Sequence, residues 1–300
     1  MANTTSLWAQ TVGRTDFKSV FRIKPEVAPW YSRCVTVGST KRGSEEAYSW
    51  SAFGTPQQIG ELEPFQYEDA SELSSTTITV YKYNIGTMLS RELVDDADPS
   101  RIRDISKQMA GGLRESMDFL TSAIVSRMYN NAFSSASQAM FDSSALCDSH
   151  TLESGDTLDN DLGPSSLDWS TVWDAVKYFK TTALTQSGLY AEDEPDCLIC
   201  HPSKADVVAK IFDSPGEPDT GDRNANTLKK IDVVYNRHLD SEYWFIQGKK
   251  QKQYMQMLWR HKPSVEFDGD FDRQGQKIAA WMRLGQAPLD FTFIVGNPGD

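Results

Sequence analysis

The residues of this chain with the most chemical potential lie in the run Cys197-Leu-Ile-Cys200-His201, whose spacing is that of covalent haem attachment. Joined by Cys147 and His150, the same two cysteines make a legal set of zinc ligands, and the pair alone is the only sequence basis for a metal or haem redox protein. Both readings conflict with their surroundings. Leu198 and Ile199 make the stretch a buried strand, where successive side chains face opposite sides, so Cys197 and Cys200 point apart. Cys147 and His150 must also arrive from a remote segment. Haem attachment belongs to exported proteins, and Met1-Ala-Asn-Thr-Thr lacks the basic and apolar regions of a secretion signal. A soluble protein made in the cytoplasm, with four free thiols, is expected.

The second chemical candidate is acidic. Asp268-Gly-Asp270-Phe-Asp272 opens like a calcium loop, but Arg273 stands where that loop needs Gly and Ala279 where it needs Glu. The run reads instead as the exposed tip of a hairpin between Val265 and Lys277. Phosphate-binding and dinucleotide-binding glycine loops and the nucleophile elbow are all absent. With four His and no Ser or Cys paired at a recognisable turn, nucleophilic catalysis has no candidate. The expectation is a chain with no catalytic residue, no cofactor and no metal.

What remains is a set of elements without a cleft. From Asp98, a good N-cap, and Pro99, suited to the first helical position, Ile102, Ile105, Met109, Leu113, Met117, Leu120, Ile124 and Met128 recur at steps of three or four. That stripe predicts one helix over residues 99–132, about 50 Å long, with Gly111 and Gly112 marking a bend or a close backbone contact. Eight Trp, eleven Tyr and fourteen Phe demand a buried core. The formal net charge of -12 argues against a protein that grips phosphates, and no apolar run approaches the roughly 20 residues that span a bilayer.

The order of the remaining elements is informative. Residues 1–32, with Phe17, Val20, Phe21, Ile23 and Trp30 between prolines, read as an arm seeking a partner surface. Residues 33–90 hold two strand-like ends, at 34–37 and 76–83, around a polar insert too long for a hairpin loop; it reaches towards a neighbouring subunit. Residues 133–166 read as loop or short hairpin. Trp169, Val172, Trp173, Val176 and Phe179 predict a helix capped by Ser166 or Asp168, followed by a strand at 197–200 and a helix after Pro202. From Ile231 onward the pattern is all strand, and the fold class is α+β.

This order resembles the tailed-phage major capsid proteins with the HK97 fold, particularly the head subunits of Mu-like phages. The resemblance is carried by Ile85-Gly-Thr-Met-Leu-Ser-Arg-Glu-Leu-Val-Asp-Asp-Ala-Asp, by the helix closing on Met128-Tyr-Asn-Asn-Ala-Phe133, by Ala145-Leu-Cys-Asp-Ser-His-Thr-Leu-Glu-Ser-Gly155, and by Tyr243-Trp-Phe-Ile before Arg283-Leu-Gly-Gln. It implies an N-terminal arm (1–32) and an extended E-loop (33–90). It further implies a peripheral domain with a spine helix (91–164 and 255–285) and a mixed axial domain (165–254 and 286–300). The implied function is a major head protein of the virion, assembled in the host cytoplasm from pentamers and hexamers of itself into an icosahedral shell. Double-stranded DNA lies inside in loose contact, no membrane is involved, and scaffold, portal and decoration proteins are further partners. An encapsulin compartment shares the fold and is the alternative. The candidate inter-subunit contacts are Glu45, Glu46 and Phe53 in the excursion and Asp268, Asp270, Asp272 and Arg273 at the acidic tip, where the acids are balanced by Arg273 and Lys277 from neighbours, the favoured reading, or by a bound divalent cation.

Overall fold

The computed structural model describes residues 29–299 except 51–57, 61–63, 66, 68–71, 91, 93–98, 127–128, 130–132, 137, 153, 219–223, 229 and 271–274. The expected arm up to residue 28, and with it the cap Asp98 and the contact candidates Phe53, Asp272 and Arg273, lies outside the described residues.

After a single turn of helix, α1 (Tyr31–Cys34), the chain enters a four-stranded sheet of β1 (Thr36–Ser39), β10 (Met255–Asp270), β11 (Gly275–Pro288) and β4 (Tyr81–Ser90) in that order. β10 and β11 run antiparallel from Met255 opposite Pro288 to Asp270 opposite Gly275. Met255, Met257 and Trp259 on one strand and Ile278, Ala280, Met282 and Leu284 on the other are buried. Their period of two puts them on one face of the sheet.

That face receives the predicted stripe, as α2 (Pro99–Ser126), 28 residues and about 42 Å long. Met109, Leu113 and Ile124 are buried, and Met117 and Leu120 pack against the same core. The Gln286 side-chain amide donates to the carbonyls of Leu120 and Ala136, fixing β11 to the helix and to the segment after it. The described helix runs to Ser126, and residues 127–128 and 130–132 of the expected span lie outside the described residues; Tyr129, in a turn, stacks on Phe245 at 5.3 Å and meets Tyr243 edge-on at 5.0 Å. One expectation changes here. A Cβ at Gly111 or Gly112 would meet nothing within 4 Å, so neither glycine serves a close contact inside the chain.

The segment 33–90, read as one excursion, is divided. Its ends, β1 and β4, belong to the sheet, and β2 (Ser44–Trp50) and β3 (Glu72–Thr79) form a separate antiparallel hairpin. At its root the Gln138 side chain accepts from the Thr79 N–H and donates to the Thr79 carbonyl, both at 2.7 Å, replacing a strand partner. A Cβ on Gly285 would lie 2.5 Å from the Thr79 oxygen, so only glycine lets the root approach β11.

The second sheet has the order β12 (Ile294–Asn297), β9 (Trp244–Gly248), β7 (Pro195–Cys200) and β8 (Asp232–Tyr235). β7 and β8 are parallel and joined through the short turn Pro202–Lys204 and α4 (Ala205–Asp213). α3 (Trp169–Thr181) is capped by Asp168, which accepts from the Thr171 N–H, and buries Val172, Ala175, Tyr178 and Phe179. The loop after α2 includes the small hairpin of β5 (Ser149–Thr151) and β6 (Thr157–Asp159). Buried Asn160 donates to the carbonyls of Leu146, Phe291 and Ile294 and accepts from the Asp148 N–H, locking this loop to the last strand. α5 (Gln251–Tyr254) leads from β9 into β10.

Leu113 is 2 % exposed beneath the middle of α2. Leu113→Asp buries an unpaired carboxylate there and is expected to cost several kcal/mol, on the order of 3–5. Fractionation after expression should find the variant in the insoluble pellet; a soluble protein with an unchanged melting temperature would show that this face is not core.

Candidate functional site

The residues with chemical potential do not converge. Cys197 and Cys200 sit on β7 at alternate faces, Cys197 against Cys34 and Cys200 beside Tyr235 and Lys204. Burial pushes the Cys200 thiol up to about 12. Cys147 lies elsewhere, next to Tyr129 and Gly296, and its thiol is held far above the ordinary range by burial and then by the nearby Asp161. His150 is engaged: its Nδ1 is 2.7 Å from Asp142 Oδ2, its Nε2 is 3.3 Å from the Leu146 carbonyl, and its ring stacks on Phe291 at 3.6 Å. Among the described residues, no three His, Cys, Asp or Glu side chains gather as metal ligands would.

The four described contact candidates, Glu45, Glu46, Asp268 and Asp270, lie on two separate hairpins. Asp268 and Asp270 end β10, opposite Lys277 and Gly275. Lys277 Nζ is 2.6 Å from Asp270 Oδ2 in the same chain, so the balancing cation expected from a neighbour is already engaged at home. Glu45 and Glu46 stand on β2; Thr40 donates its hydroxyl to Glu45 and Tyr48 to Glu46. The hairpin root meets β11 at Gly285 and the acidic tip begins at Gly275, a separation of about 33 Å at 3.3 Å per residue. The structure does not bring the two sets together within one chain.

Exposed apolar surface lies on the β2–β3 excursion and in a groove beside α2. Phe65 and Tyr67, in the segment between β2 and β3, are 74 % and 89 % exposed, and Tyr48 and Ile59 are also exposed. A groove of about 600 Å³ runs between β4 and α2, with Ile85, Phe119, Leu120 and Met282 along it and Glu115 and His238 among its polar groups. Phe119 is 60 % exposed, and its ring meets the edge of His238. Among the described residues, no helix is long and apolar enough to cross a membrane.

A family model described as phage capsid protein matches residues 72–297. The chain belongs to the phage capsid protein family. Solved structures agree on its fold. The capsid of cyanophage P-SCSP1u matches with a TM-score of 0.62 at 12 % identity, covering 92 % of this chain and 90 % of that one. The capsid of a native GTA particle matches at 0.58 with 14 % identity, covering 92 % of each chain. The Gordonia phage Cozz structure matches at 0.56 with 14 % identity, covering 93 % and 92 %. No curated protein matches the sequence. The HK97 fold implied by the resemblance is thus present, and the family and fold are those of a structural protein. For a capsid protein the functional site is the set of surfaces through which the shell is built.

Sequence reasoning missed the residues that aim those surfaces. Gln138 and Gly285 set the root of the β2–β3 hairpin and Gln286 ties β11 to α2, yet a lone Gln or Gly carries no motif. His150, considered as a ligand, is a packing residue. Burial pushes the Asp142 carboxyl up, but hydrogen bonds from His150 and the Ser144 N–H outweigh it and hold the group below its ordinary value. The resulting stability is fully present above about pH 4 and is lost as pH falls through the depressed folded-state value. Asp142→Asn should cost about 1–2 kcal/mol in urea denaturation at pH 7. The same comparison at pH 2–3 should show a much smaller gap; an equal cost at both pH values would remove charge from the explanation.

Proposed function

We propose that many copies of this chain assemble, through pentamers and hexamers, into the closed icosahedral shell of a virion around double-stranded DNA. The single observation that carries this reading is the family match over residues 72–297, which a separate body of structural likeness to phage capsids supports. The GTA particle capsids among the neighbours are compatible with the same shell-forming role. Within the reading, the β2–β3 hairpin with its flanking segment is the E-loop, α2 is the spine helix, the β1-β10-β11-β4 sheet is the peripheral domain and the β12-β9-β7-β8 sheet the axial domain. The role is structural and not enzymatic. Assembly takes place in the host cytoplasm, scaffold, portal and decoration proteins are further partners, and Mu-like heads are the subgroup that the sequence motifs resemble. A charge of -12 suits a wall that must not adhere to its contents.

Glu45, Glu46, Phe53, Asp268, Asp270, Asp272 and Arg273 are proposed to meet neighbouring subunits. Phe65 and Tyr67 support this for the hairpin, because aromatic rings exposed to that degree are surfaces awaiting a partner. Electron microscopy of the expressed chain, with its scaffold protein where one is needed, should show closed shells with five-fold and six-fold capsomers. A full chain that stays monomeric under all such conditions would overturn the reading. Replacing residues 41–75 with a short Gly-Ser linker keeps Thr76 and Ile78, which are buried in the root. The product should be a folded monomer by size exclusion with an almost unchanged melting temperature. Closed shells from that variant would show that the hairpin is not the subunit link.

A further inference from the structure

Cys34 and Cys197 hold their sulfur atoms 3.6 Å apart, and both residues are completely shielded from solvent. Shell building as described above makes no use of this pair. The surrounding residues fix it in place. Asp232, Cys197 and Gln247 form one row across β8, β7 and β9. On one side Arg33 donates to Asp232 at 3.0 Å and to Asp196, next to Cys197, at 2.7 Å. On the other side the Gln247 amide donates to the Cys34 carbonyl at 2.8 Å. The last turn of α1 is therefore clamped by both neighbours of Cys197 in its row, which sets one sulfur against the other. Cys200 faces away on the same strand, and Cys147 lies against Gly296.

We propose that Cys34 and Cys197 are a modification site, a dithiol that a small-molecule disulfide of the oxidised-glutathione class converts to an intrachain disulfide. One cysteine sulfur, as its thiolate, attacks the oxidant; the oxidant's S–S bond breaks, a mixed disulfide forms and one small thiolate leaves. The second cysteine sulfur attacks the mixed disulfide at the protein sulfur, and the second small thiolate leaves. The two protons lost by the cysteines end on the two small thiols, the oxidant is reduced and the protein oxidised. The sulfurs must close from 3.6 Å to about 2.05 Å, a movement of roughly 1.5 Å. The contact with Cys34 and then burial hold the Cys197 thiol protonated, so exchange waits for local opening of the clamp around α1. The pair stays reduced in a reducing compartment and closes in an oxidising one. The bond ties the base of the N-terminal segment to a central strand of the second sheet.

The test uses the purified full chain, incubated with oxidised glutathione some degrees below its melting temperature, alkylated, and digested without reduction. Mass spectrometry should find the Cys34 peptide joined to the Cys197 peptide with the loss of two hydrogen atoms, and Cys147 and Cys200 alkylated. The melting temperature should rise by roughly 5–10 °C and return on adding dithiothreitol. Cys34→Ser and Cys34→Ala should each lose both the linked peptide and the shift. Four alkylated cysteines after oxidation, a stable glutathione adduct on Cys34 or Cys197, or linkage through Cys147 or Cys200 would each overturn the proposal. The peptide map of the unaltered chain decides the matter even if both variants fold poorly.

Discussion

β11 is hydrogen-bonded on both edges, to β10 from Gly275 to Pro288 with two register shifts and to β4 from Gly275 to Leu284, and the rest of the molecule depends on that strand. Buried backbone groups must be paired, so a strand beneath a helix cannot be left with an open edge. Once β10 and β4 are set beside it, the positions of the other parts follow. The helix stripe lies on its apolar face, Gln286 ties it to the helix, and Gly285 leaves room for the hairpin root. The chain crosses between the two sheets twice at its end, from β9 through α5 into β10 and from β11 into β12. Gln251 bridges those crossings by donating to the Asp290 carbonyl at 2.7 Å and accepting from the Phe293 N–H at 3.2 Å.

Polar links join the helix to the connection between β8 and β9. Arg237 pairs with Glu115 at 2.6 Å and Asp118 at 3.2 Å, and Ser122 lies 3.1 Å from Asn236. The Arg237 pairs are more than half exposed on the arginine side and contribute little on their own. Their geometry matters more than their energy, because they fix where the β8–β9 connection sits along α2. Surface ion pairs of this kind, including Lys277 with Asp270, are satisfied within one chain. Among the described residues, Phe65, Tyr67, Phe119 and Ile85 are exposed apolar groups, whose burial is a non-directional force.

A fold shared with capsids at 12–14 % identity is intelligible on these terms. The ladder of β10, β11 and β4 is made of backbone groups, which every sequence supplies, and the stripe on α2 asks only for apolar residues of suitable size at the right period. Such constraints tolerate wide substitution. Specific side chains are needed only where backbone meets backbone at close range or where an edge ends, as at Gly285 and Gln138.

Local sequence patterns were enough for several elements of this protein. The helix from Pro99, the helix opening at Trp169 with its Asp168 cap, the strand holding Cys197 and Cys200, the tip between Val265 and Lys277 and the long terminal strands are local patterns of burial and are legible without a fold. The order of those patterns was enough to point to the capsid family. Contacts between distant segments could not be read in that way. Tyr129 meets Phe245 and Tyr243 in an aromatic contact that no local pattern encodes. The 33–90 segment divides into sheet strands and a free hairpin because β10 and β11, more than 160 residues later, offer edges to β1 and β4. Cys34 meets Cys197 and His150 meets Asp142 and Phe291 only when the chain closes on itself. Burial pattern is a property of neighbours in sequence, whereas pairing is a property of neighbours in space, and only the tertiary structure decides the second.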